Sequence, residues 1–437
     1  MMMNDLLIRQ VKVIDPGGPH NNEITDLLVR NGRVEKIGGR ITKGNAIEIR
    51  KEGLHVSTGW LDLRAHFRDP GQEWKQGLLN GLDAAAAGGF TSVAVLPSTD
   101  PVIDSRSGVE YLLRKAQGHP VRVLPLGALT RGSKGQQLAE LHDLRSAGAV
   151  AFTDDQGPVR NSRLMLLALQ YSSALPGGAP PIMAFPQDAD LVMKGQMHEG
   201  PMSTRLGLKG IPAMAETMQL ARDLALLEYA GGHLHFATIS TAESVELIRQ
   251  AKAGKLKVTC SVATHNLFLD DGCLRGFETC YKVMPPLRDM RHIDALREGI
   301  KDGTIDAIVS DHRPEDREHK LLEFGQAAFG IIGLETCFAV ANTALKGRSS
   351  LKNIIDGLTT GPRRILGLAR EHISADVHAD LTLFDPEANW TCTEEDLVSI
   401  SHNTPFIGQR FTGRALGIIT GRGTRIHRSL VQEKVGA

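Results

Sequence analysis

Between residues 6 and 56 the apolar positions form short, strand-length runs separated by turn residues. The turns fall at Pro16-Gly-Gly, Asn31-Gly and Gly38-Gly, and such residues are typical of hairpins. This pattern predicts a small β-region that is too short to close a sandwich by itself. The predicted strands are Leu6–Ile14, Ile24–Arg30, Val34–Ile37 and Ala46–Ile49.

From Gly59 onwards, apolar strands alternate with amphipathic helices such as Leu78–Ala87 and Ala242–Ala253. Eight such units over about 310 residues favour a (β/α)₈ barrel over an open sheet, because barrels typically take about 250 residues plus insertions. The predicted barrel strands are Trp60–Leu63, Thr91–Leu96, Val121–Leu126, Ala149–Phe152, Pro181–Phe185, His233–Ile239, Leu256–Val262 and Asp306–Ser310.

Beyond residue 371 the pattern returns to strands, predicted within 379–385, 411–419 and 424–427. We expect the two β-rich ends, 1–56 and 371–437, to pair into one composite β-sandwich domain. Residues 57–370 would then form the barrel.

Composition excludes several classes of protein. The 50 basic residues balance the 50 acidic ones, which gives no support for a nucleic-acid or anionic-membrane partner. The five cysteines are odd in number and form no C-x-x-C pair, as expected of a reduced protein with buried thiols. The sequence shows no secretory leader and no apolar run long enough for a membrane span. We therefore expect a cytoplasmic protein.

Polar residues gather where the predicted barrel strands end, which is where barrels carry their chemistry. The first strand delivers Arg64, His66 and Arg68, and alternation by two places them on one face. Several charged groups on one rim favour a site, or the remains of one, over unrelated surface residues. The later strands end at Ser98, Asp154-Asp155, Phe185, Thr238 and Asp311-His312.

The chain resembles the dihydroorotases of the amidohydrolase superfamily, specifically the long bacterial type, over nearly its whole length. The matching runs include His66-Phe-Arg-Asp-Pro-Gly-Gln-Glu73, Ala151-Phe-Thr-Asp-Asp155, Ser240-Thr-Ala-Glu-Ser-Val245, Lys282-Val-Met-Pro-Pro-Leu-Arg288 and Ser310-Asp-His312. The resemblance implies a zinc-dependent cyclic amidohydrolase fold whose metals are held at the barrel mouth.

The resemblance also assigns the metal ligands one at a time. It places His66, Asp155 and Asp311 at family ligand positions, and Asp311 also at the general-base position. Three other family histidines are replaced, by Arg64 in the first-strand H-x-H, by Phe185 after the fifth strand and by Thr238 after the sixth.

The substrate-binding positions are altered in the same way. Arg68, which in the family holds the substrate carboxylate, is retained. Ser98 and Met284 stand where the family has Asn, and Glu315 stands where "D-H-A-P-H" ends in His.

A catalytic zinc site needs about three protein ligands and an open position for water. Arginine has no lone pair to give, and phenylalanine has none either. We therefore expect no cofactor, or at most weak single-metal binding, and no metal-activated water.

These losses are similar to those of non-catalytic dihydroorotases. That resemblance implies a structural partner of the aspartate transcarbamoylase catalytic chain in pyrimidine synthesis, and we also expect a homo-oligomer. Two alternatives are an active amidohydrolase with an atypical metal site and a degraded gene product. The undamaged glycine turns and barrel pattern disfavour the second alternative.

Arg64 carries a structural hypothesis of its own. Two carboxylates left without metal would repel each other, and a fixed guanidinium would relieve this. We predict that Arg64 lies near the lost first-metal position and pairs with Asp311, Asp155 or both.

Overall fold

The computed structural model describes residues 5–430, which form a parallel barrel and a separate sheet. The strands are β1 Leu6–Ile14, β2 Ile24–Arg30, β3 Arg33–Gly38, β4 Ile47–Arg50, β5 His55–Thr58, β6 Trp60–Ala65, β7 Phe90–Val95, β8 Arg122–Gly127, β9 Ala151–Phe152, β10 Ile182–Ala184, β11 Met197–His198, β12 Gly210–Ile211, β13 Leu234–Phe236, β14 Val258–Ala263, β15 Ala307–Val309, β16 Val377–His378, β17 Asp380–Thr391, β18 Arg410–Thr420 and β19 Gly423–Ile426.

The helices largely fill the connections between the barrel strands. They are α1 Leu78–Ala87, α2 Arg106–Lys115, α3 Leu141–Ala147, α4 Ser162–Ser173, α5 Ala189–Val192, α6 Pro201–Leu206, α7 Met214–Ala230, α8 Ala242–Ala253, α9 Thr264–Phe268, α10 Met290–Asp302, α11 Arg317–Lys320, α12 Cys337–Leu345, α13 Leu351–Leu358 and α14 Thr360–Ile365.

Eight parallel strands form the barrel in the order β15-β14-β13-β10-β9-β8-β7-β6. The ring closes where Ala65 bridges His312 and the backbone N–H of His66 donates to the His312 carbonyl oxygen at 2.8 Å. This closure confirms the predicted (β/α)₈ barrel. It also brings the end of β6 beside the loop after β15, so that Arg64 and Asp311 meet although they are far apart in sequence.

The two ends of the chain share one continuous sheet. Its main order is β16-β3-β2-β1-β5-β17-β18-β19, and β4 pairs with β1 as a ninth strand. The connection between the two ends runs through β5, which pairs parallel with β1 and antiparallel with β17. The two ends, which were predicted to pair into one composite β-sandwich domain, contribute strands to this single sheet. Residues 1–4 and 431–437 of the predicted ranges lie outside the described residues.

A buried aromatic cluster lies between the barrel and this sheet. The Trp60 ring packs against Phe338 and Phe384 with centroids 4.9 and 5.5 Å apart, and its indole N–H donates to Ser57 Oγ. Trp60 begins β6 and is fully buried. The first barrel strand is therefore anchored at its base, which fixes the direction of the side chains at its other end.

The loop after β6 approaches the loop after β7 closely. A Cβ on Gly71, whose φ is +100°, would lie 1.9 Å from the carbonyl oxygen of Asp100. Only glycine fits this conformation and this space. The contact holds the β6 loop, which carries Arg68, against the barrel mouth.

Candidate functional site

Arg64 is buried inside the barrel mouth, with a side chain that is 2% exposed. Its Nε donates to Asp311 Oδ1 at 2.7 Å, and a terminal nitrogen donates to Asp155 Oδ1 at 2.6 Å. The prediction that Arg64 pairs with these carboxylates is confirmed for both of them. Because a guanidinium presents several donors in a fixed plane, a single side chain joins the ends of two different strands.

Asp155 receives a second guanidinium. A terminal nitrogen of Arg313 lies 2.7 Å from both carboxylate oxygens, and the Ser98 hydroxyl donates to Oδ2 at 2.6 Å. Burial alone would raise the pKa of Asp155, but the Arg313 and Arg64 guanidiniums hold it well below its usual range. Asp155 is therefore ionised, and its oxygens are already engaged by these donors.

His66 has both ring nitrogens engaged. Its Nδ1 accepts from the backbone N–H of Arg68 at 3.1 Å, which leaves Nε2 to donate to the Ser98 carbonyl oxygen at 2.7 Å. Burial lowers the pKa of His66 well below its ordinary value, and the nearby Arg68 and Arg313 charges lower it further. The ring is thus neutral and offers no free lone pair to a metal.

Neither Phe185 nor Thr238 directs a metal-ligating atom toward the part of the mouth that Arg64 fills. Phe185 is buried in an apolar cluster with Ile211 and Met284, and its ring centroid lies 5.5 Å from the Arg64 guanidinium carbon. The Thr238 hydroxyl donates to the carbonyl oxygen of Ala237 at 2.7 Å. Neither position supplies the histidine that zinc would need.

The fold implies zinc, and the residues present do not fit it. Zinc takes lone pairs from three or four nitrogen, sulfur or oxygen atoms about 2.0–2.3 Å away. Here the two carboxylates hold guanidinium groups, and the lone pair of His66 Nδ1 is used by a backbone N–H. A cation would have to displace or face the charges of Arg64 and Arg313.

The positions predicted for substrate binding form a second charged group. Arg68 pairs through a terminal nitrogen with Glu315, and Lys75 Nζ lies 2.6 Å from the other oxygen of the same carboxylate. Arg68 Nε also donates to the Pro314 carbonyl oxygen at 3.1 Å. The retained arginine is therefore neutralised within the chain.

Met284 completes the apolar side of the mouth. Its carbonyl oxygen accepts from Gln156 Nε2 at 2.9 Å, while its sulfur accepts from Gln187 Nε2 at 3.1 Å. The side chain itself belongs to the Phe185 cluster. This position contributes packing rather than an amide for ligand recognition.

Sequence reasoning missed Arg313 and Lys75. Arg313 is buried, with 8% of its surface exposed. It stands where the family run "D-H-A-P-H" has alanine, so this substitution was visible in the same run that located Glu315. Lys75 follows His66–Glu73 closely, yet no spacing rule indicates that it turns back to Glu315. Asp154, by contrast, accepts from the Thr130 backbone and hydroxyl and has a structural role.

The site keeps an unusual backbone. Arg68, Asp155, Thr238 and Asp311 have φ values of 58°, 55°, 60° and 45°. Such left-handed conformations in non-glycine residues cost of the order of 1 kcal/mol each and concentrate at functional sites. Left-handed backbone conformations therefore mark the barrel mouth, and the side chains there bind one another.

A second group, His198, Asp289 and His292, brings three potential ligand atoms within 4.8 Å. Arg288 donates to His198 Nδ1 at 3.0 Å, and the Ala242 backbone N–H donates to His292 Nδ1 at 3.0 Å. His198 therefore carries its proton on Nε2. His292 has hydrogen-bond donors beside both ring nitrogens, since a terminal nitrogen of Arg291 lies 3.2 Å from its Nε2. This group does not fit a cation.

The parallel barrel with its attached sheet has the fold of solved hydantoinase structures. L-hydantoinase (dihydropyrimidinase) from Arthrobacter aurescens matches with a TM-score of 0.83 and 21% identity, over 98% of this chain and 96% of that one. Dihydropyrimidinase from Brevibacillus agri matches with a TM-score of 0.80, over 97% of this chain and 95% of that one. These likenesses establish the fold.

Sequence relatives define the family. Residues 54–244 match the "Dihydro-orotase-like" family model. Proteins named dihydroorotase from Geobacter metallireducens and Geotalea daltonii are each 42% identical to this chain, over 95% and 94% of it and over 98% and 96% of their own lengths. The chain belongs to the dihydroorotase family. Among residues 5–430, no helix has the length and apolar character to cross a membrane.

Proposed function

We propose that this protein is a non-catalytic dihydroorotase of pyrimidine biosynthesis that serves as an assembly partner of the aspartate transcarbamoylase catalytic chain. The observation that carries the loss of catalysis is the position of the Arg64 guanidinium, 2.6 Å from Asp155 and 2.7 Å from Asp311. The two family carboxylates therefore bind an internal cation.

The chemistry of amide hydrolysis supports this proposal. A metal-dependent hydrolase needs a water whose pKa is lowered toward neutrality and a base that accepts its proton. Asp311 is buried and its Oδ1 accepts from Arg64 Nε, so the family's general base is held by a cation. Asp155 is held by two cations, which leaves no ligand pair for a metal.

The partnership rests on the family resemblance and on the intact fold. A chain that has lost catalysis but keeps its closed barrel and left-handed site residues has kept the parts that give it a defined shape. Shape and surface are what an assembly partner needs, while a catalytic centre is dispensable for it.

The second candidate is an active cyclic amidohydrolase that opens L-dihydroorotate to N-carbamoyl-L-aspartate. The relatives at 42% identity carry the name dihydroorotase, which favours this activity. The engaged carboxylates and the Glu315-neutralised Arg68 oppose it, because both the metal-binding and the substrate-binding groups would have to be released.

One co-expression experiment tests the proposal. The chain is produced with the aspartate transcarbamoylase catalytic chain of its own source and separated by size exclusion, with an unrelated barrel of similar mass as control. We expect one joint peak that contains both chains, no joint peak with the control, and no dihydroorotate hydrolysis in the joint peak. Two independent peaks with fully active transcarbamoylase would overturn the partnership, and robust hydrolysis would favour the second candidate.

A further inference from the structure

Glu315 is a buried carboxylate that joins two buried cations. Its side chain is 6% exposed, that of Lys75 is 7% exposed and that of Arg68 is 11% exposed. The ammonium of Lys75 and a terminal nitrogen of Arg68 contact different oxygens of the carboxylate. Both oxygens of Glu315 are thus bound at the barrel mouth.

The backbone fixes Glu315 in this position. Its N–H donates to Asn403 Oδ1 at 3.0 Å, and Asn403 Nδ2 donates to the Arg313 carbonyl oxygen at 3.0 Å. The loop after β15 is therefore tied to the segment that carries Asn403. The carboxylate is presented by a fixed loop, in the manner of a bound ligand held between two cationic groups.

Charge accounts for the need for this carboxylate. A buried ammonium and a buried guanidinium together require a compensating anion, because an unpaired buried charge costs several kcal/mol. An arginine beside a lysine is also the arrangement that binds a small carboxylate from solution. In this chain the side chain of Glu315 takes the place of a carboxylate from solution.

We propose that Glu315 is a built-in ligand that fills a carboxylate-binding site formed by Arg68 and Lys75 and so closes the barrel mouth to free carboxylates. The inference rests on the proposed function in one respect, namely that the mouth has no small-molecule ligand to admit. Shortening Glu315 to alanine removes the carboxylate but leaves both cations. The vacated space then takes a small monocarboxylate such as acetate.

Thermal unfolding in sodium acetate and in sodium chloride of equal ionic strength tests this proposal. We expect Glu315→Ala to unfold at a lower temperature than the wild type in chloride and to recover in acetate with a saturable dependence on concentration, as binding to the folded state requires. The wild type should show no acetate-specific shift. Glu323→Ala, which removes an exposed glutamate of the same region, is the matched control and should behave as the wild type.

The double variant Glu315→Ala with Arg68→Met identifies the binding group and should lose the acetate response. An equal acetate response in the wild type, no response in Glu315→Ala, or a response that survives in the double variant would each overturn the proposal. If Glu315→Ala does not fold in chloride, the proposal requires that it fold in acetate, and failure in both salts counts against it. None of these measurements depends on hydrolysis or on a partner chain, so a failure of this inference is distinguishable from a failure of the proposed function.

Discussion

Arg64 and Asp311 lie 247 residues apart in the chain and form a buried ion pair across the seam of the barrel, with Nε and Oδ1 separated by 2.7 Å. The pair joins the first barrel strand to the loop after the last one, where Ala65 bridges His312. Arg64, which the resemblance places at a metal-binding histidine position, therefore contributes to closing the ring. The same guanidinium reaches Asp155, so three segments of the mouth depend on it.

Arg64→Ala should destabilise the protein by about 3–5 kcal/mol, the usual cost of removing one partner from a buried ion pair. The variant leaves Asp311 buried without the guanidinium that it contacts, and it leaves Asp155 with Arg313 and the Ser98 hydroxyl. Urea unfolding followed by circular dichroism measures the change in the free energy of unfolding. Arg249→Ala is the control, because its pairs with Glu246 and Asp302 are exposed and screened by solvent and should contribute little to stability.

A double-mutant cycle separates the Arg64–Asp311 pair from its surroundings. Arg64→Ala combined with Asp311→Asn should cost less than the sum of the two single changes, because each single change already breaks the contact. Strict additivity would show that the two side chains do not interact in solution and would contradict the geometry of the mouth.

Arg64→His should not restore dihydroorotate hydrolysis. Two histidines would still be missing, because Phe185 and Thr238 stand at their positions, and Arg313 would still bind Asp155. Groups that act as a unit do not recover one at a time. A colorimetric assay for carbamoylaspartate, with an active dihydroorotase as positive control, measures the rate, and clear turnover by this single variant would refute the interpretation of the mouth.

Asp223, which lies outside the barrel mouth, should make the stability of the protein depend on pH. Burial raises its pKa to about 6, although the neighbouring Arg222 lowers it in part. The folded state therefore binds more protons than the unfolded state between about pH 4 and pH 6. The contribution of Asp223 to the free energy of unfolding is consequently present below about pH 4 and is lost as the pH rises to about 6. The loss amounts to roughly 3 kcal/mol at about 1.4 kcal/mol per pKa unit.

Asp223→Asn should flatten this part of the stability profile. Gln219 donates to Asp223 Oδ2 at 3.1 Å, and after an amide flip it would accept from the new asparagine instead. Unfolding measured at several pH values from 4 to 7 gives the slope. Asp190→Asn, an exposed carboxylate 85% accessible on the neighbouring α5, is the control, and an unchanged slope in Asp223→Asn would contradict the assignment.

The sequence predicted the barrel and its helices because their apolar period is regular. The helices Leu78–Ala87 and Ala242–Ala253 begin and end where expected. The sixth barrel strand is shorter than predicted, Leu234–Phe236 instead of His233–Ile239, because Thr238 adopts a left-handed φ that no apolar pattern reveals. Strand β5 was missed because its four residues lie directly before β6 without a turn signal.

The strand pattern predicted the direction of Arg64, whereas the site residues that follow their strands, among them Asp155 and Asp311, were located by the family resemblance. Arg64 lies within β6, so its direction toward the mouth followed from the strand. Arg313 and Glu315 lie in the loop after β15, and their contacts depend on Asn403, 88 residues beyond Glu315. No local pattern encodes that long-range hydrogen bond, and the contact between Arg313 and Asp155 was not predicted although the arginine at position 313 was visible in the sequence.

Zinc content tests the central claim, that an internal guanidinium occupies a place where the family binds metal. The protein is expressed in zinc-supplemented medium, desalted without chelator and analysed by inductively coupled plasma mass spectrometry, beside an active dihydroorotase treated identically. We predict much less than one zinc per chain, because His66 Nδ1, both oxygens of Asp155 and Asp311 Oδ1 already accept from hydrogen-bond donors. One or two tightly bound zinc ions per chain would contradict the account.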